Sequence, residues 1–355
     1  MRSNKASRAL GPRDLEILKD VVRTFILVGE PVSSRTVAKH ERHGLSAASI
    51  RNSMADLEEM GYLRQPHASA GRQPTASGYH LYIETLMGKR RVSASNRRYI
   101  DEKLPSGAGA EELTSTTSQL LSELTSQVGI VLTPAISSTV LKAVQFVQLS
   151  GERVLCVIVS ESGFVDNKIV QLDQLIPRQE LTRISNYLTD SFAGMTLREI
   201  RNQLVALMAD ERARMDKLLA NAVSLAREAL QETASAELKL EGAAGLLNRP
   251  EVANIDTVRR LLDTFSDKAR LVNLLTQAME GLGVRVLIGE ESDLTSELDF
   301  SLVTRPYRAG SGATGTLGIF GPSRMEYQRV IPLVDYLGET LSQALESSFG
   351  DEEAD

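Results

Sequence analysis

Residues 46–79 read SAASIRNSMADLEEMGYLRQPHASAGRQPTASGY, and the fold turns on them. Ser46 has the side chain of a helix N-cap, and Ile50, Met54 and Leu57 recur at the spacing of one helical face. Gly61 closes this helix and Tyr62 to Gln65 reads as a short strand. Pro66 to Pro74 is a polar loop carrying His67, Ser69 and Arg72, stiffened by a proline at each end, with Gly71 placed for an unusual backbone angle. A further helix opens at Thr75. Helix, strand, basic loop, strand is the outline of a winged helix-turn-helix, a DNA reader.

At about 100° per residue, the face opposite Ile50 carries Ala48, Arg51, Asn52, Ala55 and Asp56, with Ser49 at its edge. Arginine and asparagine make bidentate hydrogen bonds to guanine and adenine in the major groove, and a small alanine meets a thymine methyl. The same wheel also describes an ordinary solvated helix; the elements on either side decide for DNA. Upstream, Pro12 suits a first helical turn and Leu15, Leu18, Val22 and Phe25 follow at helical spacing, until Gly29-Glu30-Pro31 stops the run. Ser33 or Ser34 then caps a short helix holding Val37 and Ala38. The candidate base contacts are Ser49, Arg51 and Asn52. Ser34, Arg35, Ser46, His67, Ser69 and Arg72 are candidates for the backbone or minor groove. Met1 to Gly11, with Arg2, Lys5 and Arg8, is either a disordered terminus or an arm that touches phosphate.

Charge supports this placement. Residues 1–98 hold 17 Lys+Arg against 9 Asp+Glu, a net of +8, and the remainder holds 23 against 37, a net of −14. A basic head on an acidic body fits phosphate neutralisation by the head. The 355 residues predict two to three domains, and 42% hydrophobic content is ample for real cores. No apolar run approaches the ~20 residues that span a bilayer, and no signal-peptide core follows Met1 to Lys5. A cytoplasmic protein is expected. Cys156 is the only cysteine, so no internal disulfide forms, and its apolar setting marks a core residue.

Ile50-Arg51-Asn52, Met54-Ala55, Leu57-Glu58 and Gly61-Tyr62-Leu63 closely resemble the heat-inducible transcription repressor family HrcA. So do the whole run Pro66 to Thr75, Gly78-Tyr79 and Tyr82. Later matches are Leu246 to Glu251, Ile288-Gly289 and Gly321 to Tyr327, so the resemblance covers nearly the whole chain. His80 departs from it, standing where the family is expected to carry arginine. The resemblance implies a winged helix, a GAF-like domain and a dimerising insertion within that domain. It also implies control of chaperone operons through the inverted repeat CIRCE, with repression supported by the GroE chaperonin.

Beyond Tyr99 the pattern predicts a helix over 111–128, strands over 140–149, 153–160 and 163–172, and a helix over 180–192. Val154, Cys156 and Ile158 alternate with Leu155, Val157 and Val159, the mark of a strand buried on both faces. From Thr196 a long tract steps apolar residues by three or four, including Leu197, Ile200, Leu204, Leu207, Leu218 and Leu225, interrupted at Glu211. That pattern is either a seam shared by two chains or a long core helix within one. Ala234 to Leu240 reads as a strand, Ile255 to Gly281 as two helices breaking near Ser266-Asp267, and strands return at 284–289, 300–307 and 316–320 before a terminal helix over 323–345. Strands before and after a helical block predict an α+β multidomain chain. The expected divisions are a winged helix at 1–98, a split sheet domain at 99–175 and 269–348, a mainly helical dimerising insertion at 176–268 and an acidic tail at 349–355.

Other chemistry is weakly supported. All four histidines, His40, His43, His67 and His80, lie in the head, which leaves the body without an imidazole general base. His40 and His43 lack cysteine or carboxylate partners for zinc. Gly310 to Gly315 lacks the Lys-Ser/Thr pair of a phosphate loop, and Glu290, Glu291 and Asp293 read as a solvated turn. No enzyme activity, metal or cofactor is expected. The expected partners are double-stranded DNA, a second copy of the chain and the chaperonin. The alternative keeps the DNA reader and makes the GAF-like domain a sensor of a small molecule.

Overall fold

Caps set the first elements. Pro12 opens α1 (Pro12–Val28), which ends at Gly29, left-handed at φ 78, with its N–H bonded to the Phe25 carbonyl. Ser33 caps α2 (Ser34–Ala38) by accepting from the Thr36 N–H, and Ser46 caps α3 (Ala47–Glu59) by accepting from Ser49. After Gly61, β1 (Leu63–Arg64) pairs antiparallel with β2 (Gln73–Pro74), and Thr75 caps α4 (Ala76–Glu84). The structure, a computed structural model, describes residues 10–39, 44–85, 91–104, 108–134, 139–172, 175–197, 199–200, 203, 221–222, 225–226, 236–246, 249–252, 254–277, 283–292, 295, 299–310 and 313–350. Most of the basic arm, His40, His43, Lys89, Arg90, Leu204, Leu207, Glu211, Leu218, Asp293 and the acidic tail lie outside these residues.

Ile50, Met54 and Leu57 are buried with Ile17, Leu18, Val21, Val22 and Val37, so α1 to α3 share one core. Burying each such side chain contributes roughly 1.5–3 kcal/mol. Val32 and Arg72 exchange backbone hydrogen bonds of 2.8 Å, which ties the β1–β2 ladder to the α1–α2 connection. Gly71 is required by this closeness rather than by an unusual φ. A Cβ there would run into the Val32 carbonyl, and its φ is not left-handed.

The body follows as α5 (Ala94–Lys103), α6 (Ala110–Thr125), β3 (Val128–Leu132), β4 (Leu141–Gln148), β5 (Arg153–Ser160), β6 (Val165–Gln171) and α7 (Arg178–Phe192). The later elements are β7 (Leu238–Glu241), α8 (Ala243–Leu246), α9 (Ile255–Ser266), α10 (Lys268–Gln277), β8 (Arg285–Ile288), β9 (Phe300–Arg308), β10 (Thr314–Pro322) and α11 (Tyr327–Gly350). Five strands form an antiparallel sheet in the order β7-β3-β10-β9-β8. Alternation along its strands feeds two cores. Val131, Val303, Leu317 and Ile319 meet α6 and α11 on one face, in a cluster that continues into α1 to α4. Ile130, Leu132, Phe300, Leu302 and Phe320 meet α8, α9 and α10 on the other, where the Phe300 and Phe320 rings stack at 5.0 Å.

The structure departs from several expectations. The helix expected to reach Val128 stops at Thr125, because Ser126 turns left-handed at φ 55, and five buried residues then form β3 near the sheet's centre. The strands at 141–171 do not join β3. They pair only with each other as a three-stranded antiparallel meander, β4-β5-β6, whose inner face packs on α7 with Val144, Phe146, Ile158, Ile184 and Leu188. Both α9 and α10 pack on the five-stranded sheet, α9 from within the segment expected as insertion. β5 buries only Val154, Cys156, Ile158 and Ser160; its other face is part-exposed.

A further difference concerns the seam. Leu197, Ile200 and Leu225 are 5%, 2% and 1% exposed, in the core between the three-stranded sheet and α7. These three side chains are covered within the chain, as a core helix requires.

Candidate nucleic-acid interface

α3 keeps its apolar side on the head's core and presents Ala48, Arg51, Asn52 and Ala55 to solvent. No intramolecular partner holds the Arg51 or Asn52 side chain among the described residues. Ser46 is exposed, but its hydroxyl is occupied: it accepts from the Ser49 N–H and donates to Ser49 Oγ, both at 3.2 Å. Ser49 is half-buried, and its carbonyl accepts from Arg13 Nη2 at 3.3 Å. On α2, which packs against α3, Arg35 is exposed and Ser34 half-buried.

The loop between β1 and β2 is braced from inside. Gln65 Nε2 donates to the Ala68 and Ala70 carbonyls at 3.0 and 2.9 Å, and the Ala70 N–H donates to the His67 carbonyl. These bonds leave His67, Ala68 and Ser69 exposed at the tip. Arg72 is the exception among the candidates. Its Nε lies 2.8 Å from Glu58 Oε2 and its side chain is 20% exposed, so its charge fastens the ladder to the end of α3 instead of facing outward. Arg72→Ala is therefore expected to lower head stability by about 1 kcal/mol and to leave the salt dependence of DNA binding unchanged. Thermal melting and a salt titration check the two halves of that statement.

Two exposed cations escaped the sequence reading: Arg13 at the start of α1, beside α3, and Arg64 on β1 beside the loop. Arg64 had a signal, since Leu63 points inward and the next strand position must point out. Arg13 had none, because its neighbour Ser49 is 36 residues away.

Nothing in the arrangement calls for catalysis. No group of His, Cys, Asp and Glu suited to a metal occurs among the described residues. His80 Nε2 sits 2.7 and 2.8 Å from the two carboxylate oxygens of Glu291, joining α4 to the loop after β8. Burial in the meander core pushes the Cys156 thiol up to about 12. Cys156 is expected to resist iodoacetamide in the native protein near neutral pH and to react once the protein is denatured; rapid native labelling would show an open core. Among the described residues, no helix is long and apolar enough to cross a membrane.

The class of protein that these features suit is a transcription regulator, and comparison with known proteins narrows it. The model of the HrcA protein C-terminal domain matches residues 111–331. The heat-inducible transcription repressor HrcA of Syntrophobacter fumaroxidans is 38% identical over 343 residues, covering 95% of this chain and 98% of its own length. That of Xanthomonas euvesicatoria is 37% identical over 347 residues, covering 98% and 99%. A crystal structure of a hypothetical protein superposes with a TM-score of 0.63 at 25% identity, over 96% of this chain and 99% of that one. The chain belongs to the HrcA family of heat-inducible transcription repressors.

Proposed function

We propose that the protein represses chaperone operons as a dimer that binds the inverted repeat CIRCE. The observation that carries this is the solvated α3 face, Ala48, Arg51, Asn52 and Ala55, beside the braced tip His67 to Ser69. In this reading Pro12 to Glu84 is a winged helix. Arg51 and Asn52 read bases with Ser49 beside them; Arg35, Ser34, Ser69, His67 and the cap residue Ser46 lie toward the backbone. Two-fold protein symmetry matches a palindromic site. The five-stranded sheet with its helices is the GAF-like domain, and the meander with α7 and the Leu197 to Ala226 segment is the dimerising insertion. A DNase footprint on the chaperone promoters of the source genome tests the reading. Protection of an inverted repeat supports it, and uniform binding without a footprint refutes it.

The chaperonin enters through folding. β3 pairs with β7 and β10, more than 100 residues further along the chain, so the central sheet closes only after distant segments meet. Such topology folds slowly and exposes apolar surface on the way. GroE then sets the supply of active dimer, and unfolded protein that occupies the chaperonin switches the genes on. Equal recovery of active dimer after refolding with and without chaperonin would sink this part.

One feature favours the small-molecule alternative. A cleft of about 480 Å³ lies between the end of α1 and the sheet unit, lined by Leu27, Gln127, Arg249, Glu251, Arg324 and Arg329 among others. Melting shifts across a panel of organic anions test it.

A further inference from the structure

Among the described residues, Pro12 to Glu84 meets the body at the end of α1 and along α4. Gly29 lies against Arg324; a Cβ at Gly29 would fall 2.5 Å from Nη1 of that guanidinium. Arg324 Nε is in turn 2.6 Å from Glu251 Oε1, and the two side chains are 24% and 20% exposed. On α4, the Tyr79 ring meets the Tyr327 ring at 5.7 Å, Tyr82 OH accepts from Gln328 Nε2 at 2.9 Å, and His80 pairs with Glu291. None of these contacts uses the exposed side chains of α3, so docking leaves the candidate reading face open.

Glu251 and Arg324 come from segments far apart in sequence. Glu251 precedes α9, next to the core residue Val252; Arg324 follows β10, next to the core residue Met325. The pair thus ties both faces of the five-stranded sheet to the point where α1 ends. A small rotation about that point is magnified at Ser49 of α3, which lies beside Arg13 at the opposite end of the 17-residue α1.

We propose that Arg324 and Glu251 are positioning residues for operator recognition: they fix the angle at which the body holds its head, and so the separation between half-sites that two heads accept. The proposal rests on the dimeric reading above. Recognition half-sites of two-fold regulators lie about one helical turn apart or a multiple of it. A head on a loose tether accepts several separations, whereas a docked head accepts one.

The test uses the full-length chain and two sets of duplexes: a single half-site, and inverted repeats whose spacer changes in single base-pair steps. The wild type is expected to favour one spacer by about tenfold or more over spacers several base pairs longer or shorter. Glu251→Gln, nearly isosteric, and Arg324→Gln are each expected to compress that preference to about twofold while half-site affinity stays at the wild-type level. The charge-swapped double variant, Glu251→Arg with Arg324→Glu, is expected to restore part of the preference. A merely structural role would lower half-site binding and melting temperature together and leave the spacer profile alone. Wild-type spacer profiles in both single variants overturn the proposal while the dimeric reading stands. A wild type that binds the inverted repeat no better than the half-site removes both.

Discussion

Arg51→Ala is expected to reduce affinity for the inverted repeat by roughly 1–3 kcal/mol per head and to relax discrimination at one base pair of each half-site. The guanidinium is exposed on α3 and no intramolecular partner holds it among the described residues, so little folding free energy depends on it. The loss therefore appears in binding and not in melting. A dimer carries the change twice, so the full site suffers about double the half-site effect, provided the heads act independently. Asn52→Ala is expected to act similarly at a neighbouring adenine. Selected binding sites, compared between wild type and variant, are the decisive measurement. If affinity for specific and random duplexes falls by one factor, Arg51 touches phosphate only and the base-reading assignment fails.

The head was legible because its determinants are local. Ser33, Ser46 and Thr75 each cap a helix from within three residues, and the 3.6-residue period of Ile50, Met54 and Leu57 fixes which side of α3 is free. What was not legible depends on partners far away in sequence. Glu58 is 14 positions before the arginine it holds, and nothing in the loop Pro66 to Pro74 announces it. β3 is a run of five buried residues directly after a helix, with Ser126 in place of a glycine or proline to mark the break. Strands β4 and β5 are apolar-rich runs as β3 is, and only pairing separates the two sheets. Three-and-four spacing at Leu197, Ile200 and Leu225 suits a seam between chains as well as a helix packed on its own sheet, and the spacing alone does not announce their burial within the chain.

The same physics explains why the late family-like segments looked unrelated in sequence. Arg249 to Glu251 and Gly321 to Tyr327 are some 70 positions apart, yet Glu251 and Arg324 meet beside Gly29. In the proposed reading, residues that read DNA and residues that aim the reader are separate sets, one on the open face of α3 and the other at the root of the head.

With Leu197, Ile200 and Leu225 buried within the chain, the meander offers a more exposed surface for the proposed dimer. The outer face of the meander aligns Val147, Leu155 and Ile169 in one cross-strand row and Ala143, Val159 and Val165 in another, with Gln145, Val157 and Asn167 between them. Val165 and Ile169 are 60% and 56% exposed, large for β-branched side chains on one sheet. Such contiguous apolar surface marks an association site, and a second copy of the chain offers a face of the same kind. Ile169→Asp is expected to separate the dimer. Its carboxylate costs little in the protomer, where the position is solvated, but it has to be desolvated without a partner in the dimer, a penalty of several kcal/mol. Dimer dissociation should strengthen by about a hundredfold or more, and the inverted repeat should then bind only as tightly as one half-site, since linking two heads multiplies affinity by about 10²–10⁴. Light scattering reads the first effect and gel shifts on full and half sites read the second, with far-UV circular dichroism unchanged. A variant that remains dimeric at wild-type concentrations places the seam elsewhere on the insertion.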